Sequence, residues 1–266
     1  PGMLESEIAA EVERVAVAAG GRISFPVIAT IHGETLHNHY HGNKISDGDL
    51  FLLDAGAESA MGYAGDLSST FPVSSTFSER QRTIYEIQLA AYNAAEAMLT
   101  PGVPNRDVHF AAARVIAEAM KDLGLMKGNI DDALQAGAHA MFFPCGVGHM
   151  MGLDVHDMEN LGEVYVGYDG QPKSTQFGLK SLRLGRELEP GFVITIEPGI
   201  YFIPQLMDLW RSENHCAEFL DFDALDQWRD FGGIRNEEDY LITETGARRL
   251  GKAKPLTIEE VESLRS

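Results

Sequence analysis

Two distant stretches of this chain are written on one frame, and that repetition restricts the possible folds more than any other feature. GDLFLLDAG (48–56) and GFVITIEPG (191–199) each read glycine, five residues of strand character, an acid, one spacer and a second glycine. GYAGD (62–66) and GIRNE (233–237) follow in the same order, each running from a glycine to an acid four places on. A third echo lies ahead of two amphipathic segments, at Pro1-Gly2-Met3 and Pro101-Gly102-Val103. The frames predict two similar halves packed about a pseudo-two-fold axis, each delivering two carboxylates from strand ends. Asp54, Asp66, Glu197 and Glu237 then meet in the middle.

Four carboxylates so close raise one another's pKa and cannot all ionise without a cation. An unpaired charge beside an apolar strand is costly as well, so the set points to metal rather than to solvated surface acids. Oxygen-rich donors with one imidazole suit two hard or borderline divalent ions, Mn2+ or Co2+ ahead of a thiolate-held Zn2+. Two such ions, about 3.5–4 Å apart, activate a water between them. The pattern alone does not pick which of the nine histidines joins the acids.

The rest of the chain reads as α+β. Ile8, Val12, Val15 and Ala19 predict a helix over 5–19, closed by Gly20-Gly21. ISFPVIATI (23–31) and LFLLDAG (50–56) are strand-like runs, the second opened by a turn at Ser46–Asp49. Ser78 and Gln81 form a capping box for a helix to Leu99, which Thr100-Pro101-Gly102 breaks. Val108, Ala112, Val115, Ala119 and Leu123 mark one face of a helix over 105–123, and FVITIEPGIYF (192–202) and DYLIT (239–243) return to strand. No linker rich in Gly, Ser or Pro divides the chain, which predicts one domain over 1–266.

Composition narrows the function classes. Forty acidic against 21 basic side chains leave a net charge of −19, the wrong balance for binding nucleic-acid phosphates. No run approaches the roughly 18 apolar residues of a membrane span. Cys145 and Cys216 are too few for a disulfide framework, which favours a soluble protein in a reducing, cytoplasmic setting. The start at Pro1, ahead of a helix and with no charged-then-apolar leader, reads as a cut through a longer polypeptide.

DAGAE (54–58) with Gly65-Asp66, GVGHMMGLDVHD (146–157), TIEPGIYF (195–202) and GGIRNEEDYLIT (232–243) together resemble the M24 metallopeptidases of pita-bread fold. Within that family the chain looks most like the Xaa-Pro dipeptidases (prolidases), with the Xaa-Pro aminopeptidases next, over essentially its whole length. The resemblance implies two pseudo-symmetric halves forming a curved antiparallel sheet flanked by helices. It implies a dinuclear site held by Asp54, Asp66, His149, Glu197 and Glu237, with Mn2+ favoured and Co2+ and Zn2+ as alternatives. The substrate would be a small peptide with an Xaa-Pro bond. Full-length relatives would carry a further N-terminal domain, absent here, and form homodimers.

Other roles carry over from the same resemblance. Glu197 would move the proton during hydrolysis, while His37 and His156 orient the substrate and stabilise the oxyanion. Arg235 would support the metal carboxylates, and Arg183 would grip the free carboxylate of a dipeptide. His39 competes with His37 for the upstream position, since Asn38 stands where the family has Tyr. Two departures stand out. Asp54 and Asp66 are one residue further apart than usual, so the hairpin should bulge around Ser59-Ala60-Met61. Cys145 replaces a histidine found in many members and reads as a small buried thiol rather than a nucleophile. A metal-free hydrolase of creatinase type, or a non-catalytic peptide- or protein-binding module, would lack metal donors. All five are present here.

Overall fold

In the computed structural model, which describes residues 1–265, the two frames occupy equivalent places. Helix α1 (Glu5–Ala18) leads to strands β1 (Ile28–Thr30), β2 (Leu50–Ala55) and β3 (Leu67–Pro72). Helices α2 (Glu79–Glu96), α3 (Asn105–Asp122), α4 (Ile130–Ala136) and α5 (Glu163–Tyr168) follow, then β4 (Val193–Ile196) and β5 (Gly199–Phe202). Helices α6 (Pro204–Glu213) and α7 (Phe222–Leu225) precede β6 (Gly232–Arg235), β7 (Glu238–Thr243) and β8 (Gly246–Arg249), and α8 (Ile258–Ser263) comes last.

The duplication is legible in backbone hydrogen bonds. Gly2 N–H donates to Ile45 O at 2.7 Å and Gly102 N–H to Leu188 O at 2.8 Å. Ile45 N–H returns a bond to Met3 O (2.8 Å), and Leu188 N–H to Val103 O (2.9 Å). Each accepting residue lies just ahead of its frame, before Gly48 and Gly191. Gly2 and Gly102 sit at φ 89° and 85°, where a side chain would be strained. In both halves a Pro-Gly turn hooks the incoming helix onto the start of the acid-bearing strand.

Every strand pair is antiparallel, in ladders β1–β2–β3, β4–β7–β8 and β5–β6. The strand expected over 192–202 is broken in one place, between β4 and β5. The β4–β7 and β5–β6 ladders keep a common register, with Ile196 opposite Glu238 and Gly199 opposite Arg235. The gap therefore leaves Glu197 and Pro198 facing Asn236 and Glu237. Pro198 has no N–H to give the ladder, and its carbonyl accepts Gln88 Nε2 at 2.7 Å instead. The interruption lets both glutamates leave the sheet.

In the first half Asp54 pairs with Ser68 inside the β2–β3 ladder. Continuing that register sets Asp66 opposite Gly56, where an added Cβ would lie 1.6 Å from the Gly65 carbonyl oxygen. The chain turns at the residues where a bulge is expected: Gly62 N–H donates to Ser59 O (2.9 Å) and Ser59 N–H to Tyr63 O (2.8 Å).

Helix α2 packs on β4, β5 and β6 and α3 packs on α2, burying Ile84, Tyr85, Ala91, Ile116 and Met120. The capping box at α2 is present, with Ser78 Oγ accepting Gln81 N–H and Gln81 Oε1 accepting Ser78 N–H. The buried face of α3 is rotated from the expected one. It runs through Val108, His109, Ala112, Ala113, Ile116, Ala117 and Met120, while Val115, Ala119 and Leu123 lie at its margin. Alanines bring α2 and α3 close together, so contact follows small residues that a hydrophobicity pattern underweights. The same happens in α1, where Ala9 and Ala16 are buried and Val15 is exposed. Among the described residues no helix is long and apolar enough to cross a membrane.

Candidate metal centre

The strand ends open into a cavity of about 560 Å³. Asp54, Asp66, His149, Glu197 and Glu237 all line it, with His37, His39, His156, Arg183 and Arg235. Donor atoms of Asp66, His149 and Glu237 lie within 4.8 Å of one another, and all three residues are buried. His149 Nε2 stands 3.4 Å from Asp66 Oδ2 and 3.6 Å from Glu197 Oε1. Its Nδ1 lies 3.0 Å from Met150 O. A carbonyl can only accept, so Nδ1 carries a hydrogen and Nε2 is the ring nitrogen turned to the acids, the one a metal would take.

Residues 147–151 run antiparallel to the free edge of β4. Glu197 N–H donates to Val147 O (2.7 Å), Thr195 N–H to His149 O (3.0 Å) and Met151 N–H to Val193 O (2.9 Å). Thr195 Oγ1 ties the histidine to the glutamate, accepting His149 N–H at 3.1 Å and donating to Glu197 Oε1 at 3.4 Å. Such close pairing requires Gly148, whose Cβ would fall 1.9 Å from Thr195 O. Gly148→Ala is therefore expected to push His149 off β4. Mn2+ affinity, measured by calorimetry, should fall about 10-fold or more, and unfolding free energy by about 1–3 kcal/mol.

Arg235 gathers the acids from behind. It donates to Asp54 Oδ2 (2.6 Å), Ser68 Oγ (2.9 Å) and Tyr201 OH (2.8 Å). Ser68 Oγ donates to Glu237 Oε2 at 2.6 Å, and Ser68 O accepts Glu237 N–H at 3.0 Å. The half-buried Lys254 ammonium closes the same node from beneath, donating to Ser68 O and to Ser69 Oγ (3.1 Å). Burial lowers its pKa to about 8.

One guanidinium among four carboxylates leaves charge uncompensated. Burial, then repulsion from Asp54 and Glu197, pushes the Asp66 pKa well above the ordinary carboxylate range. Glu237 is pushed up by burial and by Asp66, and Glu197 rises mainly through burial. Asp54 Oδ1 and Asp66 Oδ1 are buried with no hydrogen-bond partner among the described residues, an arrangement that is costly unless something else satisfies them. Oxygen donors with one imidazole nitrogen around such orphaned atoms fit a divalent cation. Because ligands must be ionised to bind metal, Mn2+ should displace protons from the raised carboxylates. Calorimetry in buffers of different ionisation enthalpy should record proton release that is greatest below those raised pKa values and fades above them.

Sequence reasoning missed four residues here. Thr195 and Tyr201 share the alternation of Glu197 within TIEPGIY, a period-two signal that could have placed them on one face with it. Ser68 and Lys254 carry no such signal. Of the upstream histidines, His37 and His39 line the cavity, while His41 is turned away with Nε2 3.0 Å from Val27 O. Burial pushes the Cys145 thiol up to about 12, so it stays protonated and is a poor nucleophile. Arg183 reaches the cavity already paired with Glu159.

Antiparallel hairpins that carry acids to a common buried centre are the mark of a metal-dependent hydrolase scaffold, and comparison with known proteins agrees. Residues 1–244 match metallopeptidase family M24, and the chain belongs to that family. It is 36% identical to the Xaa-Pro dipeptidase of Mus musculus over 270 residues, 98% of this chain and 53% of the relative. It is 35% identical to the Xaa-Pro aminopeptidase of Escherichia coli strain K12 over 269 residues, 99% of this chain and 52% of the relative. A substituted form of Escherichia coli aminopeptidase P matches at a TM-score of 0.81 and 34% identity, covering 100% of this chain and 52% of that one. Aminopeptidase PepP of Pseudomonas aeruginosa matches at 0.78 and 32%, covering 100% and 53%. The fold is the pita-bread fold of these aminopeptidases. The chain spans about half the length of the curated relatives it matches.

Proposed function

We propose that residues 1–266 form the single catalytic domain of a dinuclear metal-dependent exopeptidase that cleaves between an N-terminal residue and proline, with Xaa-Pro dipeptides preferred. The cavity's polarity carries this reading. Its lining carries both signs: the acids Asp54, Asp66, Glu197 and Glu237, and the bases Arg183 and Lys180 besides the Arg235 bonded to Asp54. A dipeptide is a zwitterion of matching sense, its amine drawn to the acids and its carboxylate to the guanidinium.

Asp54, Asp66, His149, Glu197 and Glu237 would hold two ions, Mn2+ in this reading with Co2+ or Zn2+ as alternatives. When bound, such ions supply Lewis-acid polarisation of the scissile carbonyl and a water acidic enough to attack near neutral pH. Glu197 is the proposed proton carrier: its side chain is 21% exposed to the cavity where that of Asp66 is 7% exposed. Burial lowers the pKa of His37, as do the charges of Arg235 and Arg183, and those charges within reach favour His37 over His39 as the upstream histidine. Burial and the neighbouring His149 act likewise on His156. Both imidazoles are then neutral near pH 7, each with one N–H: that of His37 can hydrogen-bond the developing oxyanion, while His156, whose Nδ1 stands beside Glu159, offers the substrate Nε2 as an acceptor. Arg235 keeps Asp54 aimed. The free thiols of Cys145 and Cys216 support a reducing, cytoplasmic setting.

The likeness to aminopeptidase P structures favours a second reading, action on longer Xaa-Pro peptides. Hydrolysis of Gly-Pro, a tripeptide Xaa-Pro-Xaa and a proline-free dipeptide, with Mn2+ added, separates the two. The expected result is preference for Gly-Pro, lost in Arg183→Ala. Equal cleavage of the proline-free peptide would reject proline specificity. Failure to take up Mn2+ at saturation would reject the metallopeptidase reading in favour of a binding module.

A further inference from the structure

Glu159 opens a short 3-10 turn (Glu159–Leu161) beyond His156. Its carboxylate is shared. Oε1 pairs with Arg183 NH1, and Oε2 lies 3.2 Å from His156 Nδ1. Arg183 and His156 line both the main cavity and a small adjoining pocket of about 20 Å³, whereas Glu159 lines only the small one. The carboxylate therefore holds the two side chains from behind and leaves the cavity side of each free. A free arginine gives up rotamer freedom when it binds an anion; one already held by a carboxylate gives up less. On the imidazole, Glu159 Oε2 beside Nδ1 favours the hydrogen on that nitrogen and restrains the ring.

We propose that Glu159 is a positioning residue that sets Arg183 to receive the carboxylate of the substrate's proline and holds the His156 ring beside it, an inference that rests on the peptidase reading above. A carboxylate competing for the substrate's place would have to line the main cavity, and Glu159 does not.

L-proline and L-prolinamide test this, because they differ in the carboxylate and neither contains a cleavable Xaa-Pro bond. Titration of the Mn2+-loaded chain with each ligand measures a carboxylate preference as the ratio of dissociation constants. The unsubstituted chain should prefer proline. Glu159→Ala should cut that preference by about 10-fold with prolinamide affinity little changed. Glu159→Gln, which keeps an oxygen for Arg183, should retain most of it, and melting temperatures of both variants report whether the fold is intact. An undiminished ratio in Glu159→Ala overturns the inference, a higher ratio does so by making Glu159 a competitor, and no proline preference in the unsubstituted chain does so as well. Hydrolysis is read separately: if Gly-Pro is not cleaved, the peptidase reading fails while the binding ratios stand on their own.

Discussion

Glu197→Gln should lower kcat for an Xaa-Pro dipeptide by about 10²–10⁴-fold, the usual range for a lost general base. The substitution keeps the side chain's shape and one carbonyl oxygen, so Thr195 Oγ1, 3.4 Å from Oε1, still has an acceptor. His149 remains paired to β4 through the backbone bonds of residues 147–151. What disappears is the basic oxygen on the most accessible of the site's acids. Because Glu197 is also a proposed ligand, the assay must be accompanied by metal analysis, with Mn2+ added to saturation. A variant that holds its ions and turns over near the normal rate would remove Glu197 from the proton-transfer role.

The second large effect is on stability and lies away from the site. His109 on α3 and His139 in the turn Ala138–Met141 are both fully buried, with ring centroids 5.7 Å apart. Phe143 stacks on His109 at 4.8 Å and Phe110 meets His139 edge-on at 5.9 Å. None of the four ring nitrogens has a hydrogen-bond partner among the described residues. Burial pushes the His139 pKa down to about 4, and burial with the charge of His139 pushes His109 well below its ordinary value. In the unfolded chain both imidazoles take a proton near pH 6.5. Between that pH and the folded-state values the unfolded chain binds more protons, so stability present in full above pH 6.5 is lost as pH falls.

Each imidazole contributes a slope of about 1.4 kcal/mol per pH unit in that window. For His139 alone the loss by pH 4 is roughly 3 kcal/mol, a large part of a total stability of about 5–15 kcal/mol. The raised carboxylates Asp66 and Glu237 act in the opposite sense, since the folded state holds their protons more tightly than the unfolded one. Urea unfolding of the chain and of a His109→Leu/His139→Leu variant, both followed from pH 7 to pH 5, cancels that contribution. As pH falls the variant should lose less stability, or gain more, than the unsubstituted chain, and the difference between the two curves is the histidine contribution. Parallel curves would mean that the two rings find proton acceptors or water in solution.

The four acids were legible because strand periodicity and duplication are both local signals. An acid after five strand residues in GDLFLLDAG, met again in GFVITIEPG, can be read without knowing how the halves pack. The α2 capping box was legible for the same reason, since its partners lie three residues apart. The buried face of α3 was not, because tight packing on alanine leaves little trace in a hydrophobicity pattern. The break at Pro198 was written in the sequence, but a continuous strand was the simpler reading until the common register of two ladders exposed it.

By itself, the sequence determined the class of site: a duplicated α+β scaffold with four acids at strand ends, and, through family resemblance, His149 as their nitrogen partner. Only the tertiary structure decided how that site is supported. Ser68 joins Arg235, Glu237 and Lys254, Thr195 ties His149 to Glu197, and Glu159 holds Arg183 with His156. It also decided that His109 and His139 lie together in the core with no hydrogen-bond partner among the described residues. These contacts depend on strand register and loop path across long separations, and the free energy that selects them comes from burial and hydrogen bonding in the assembled fold, which no local spacing encodes.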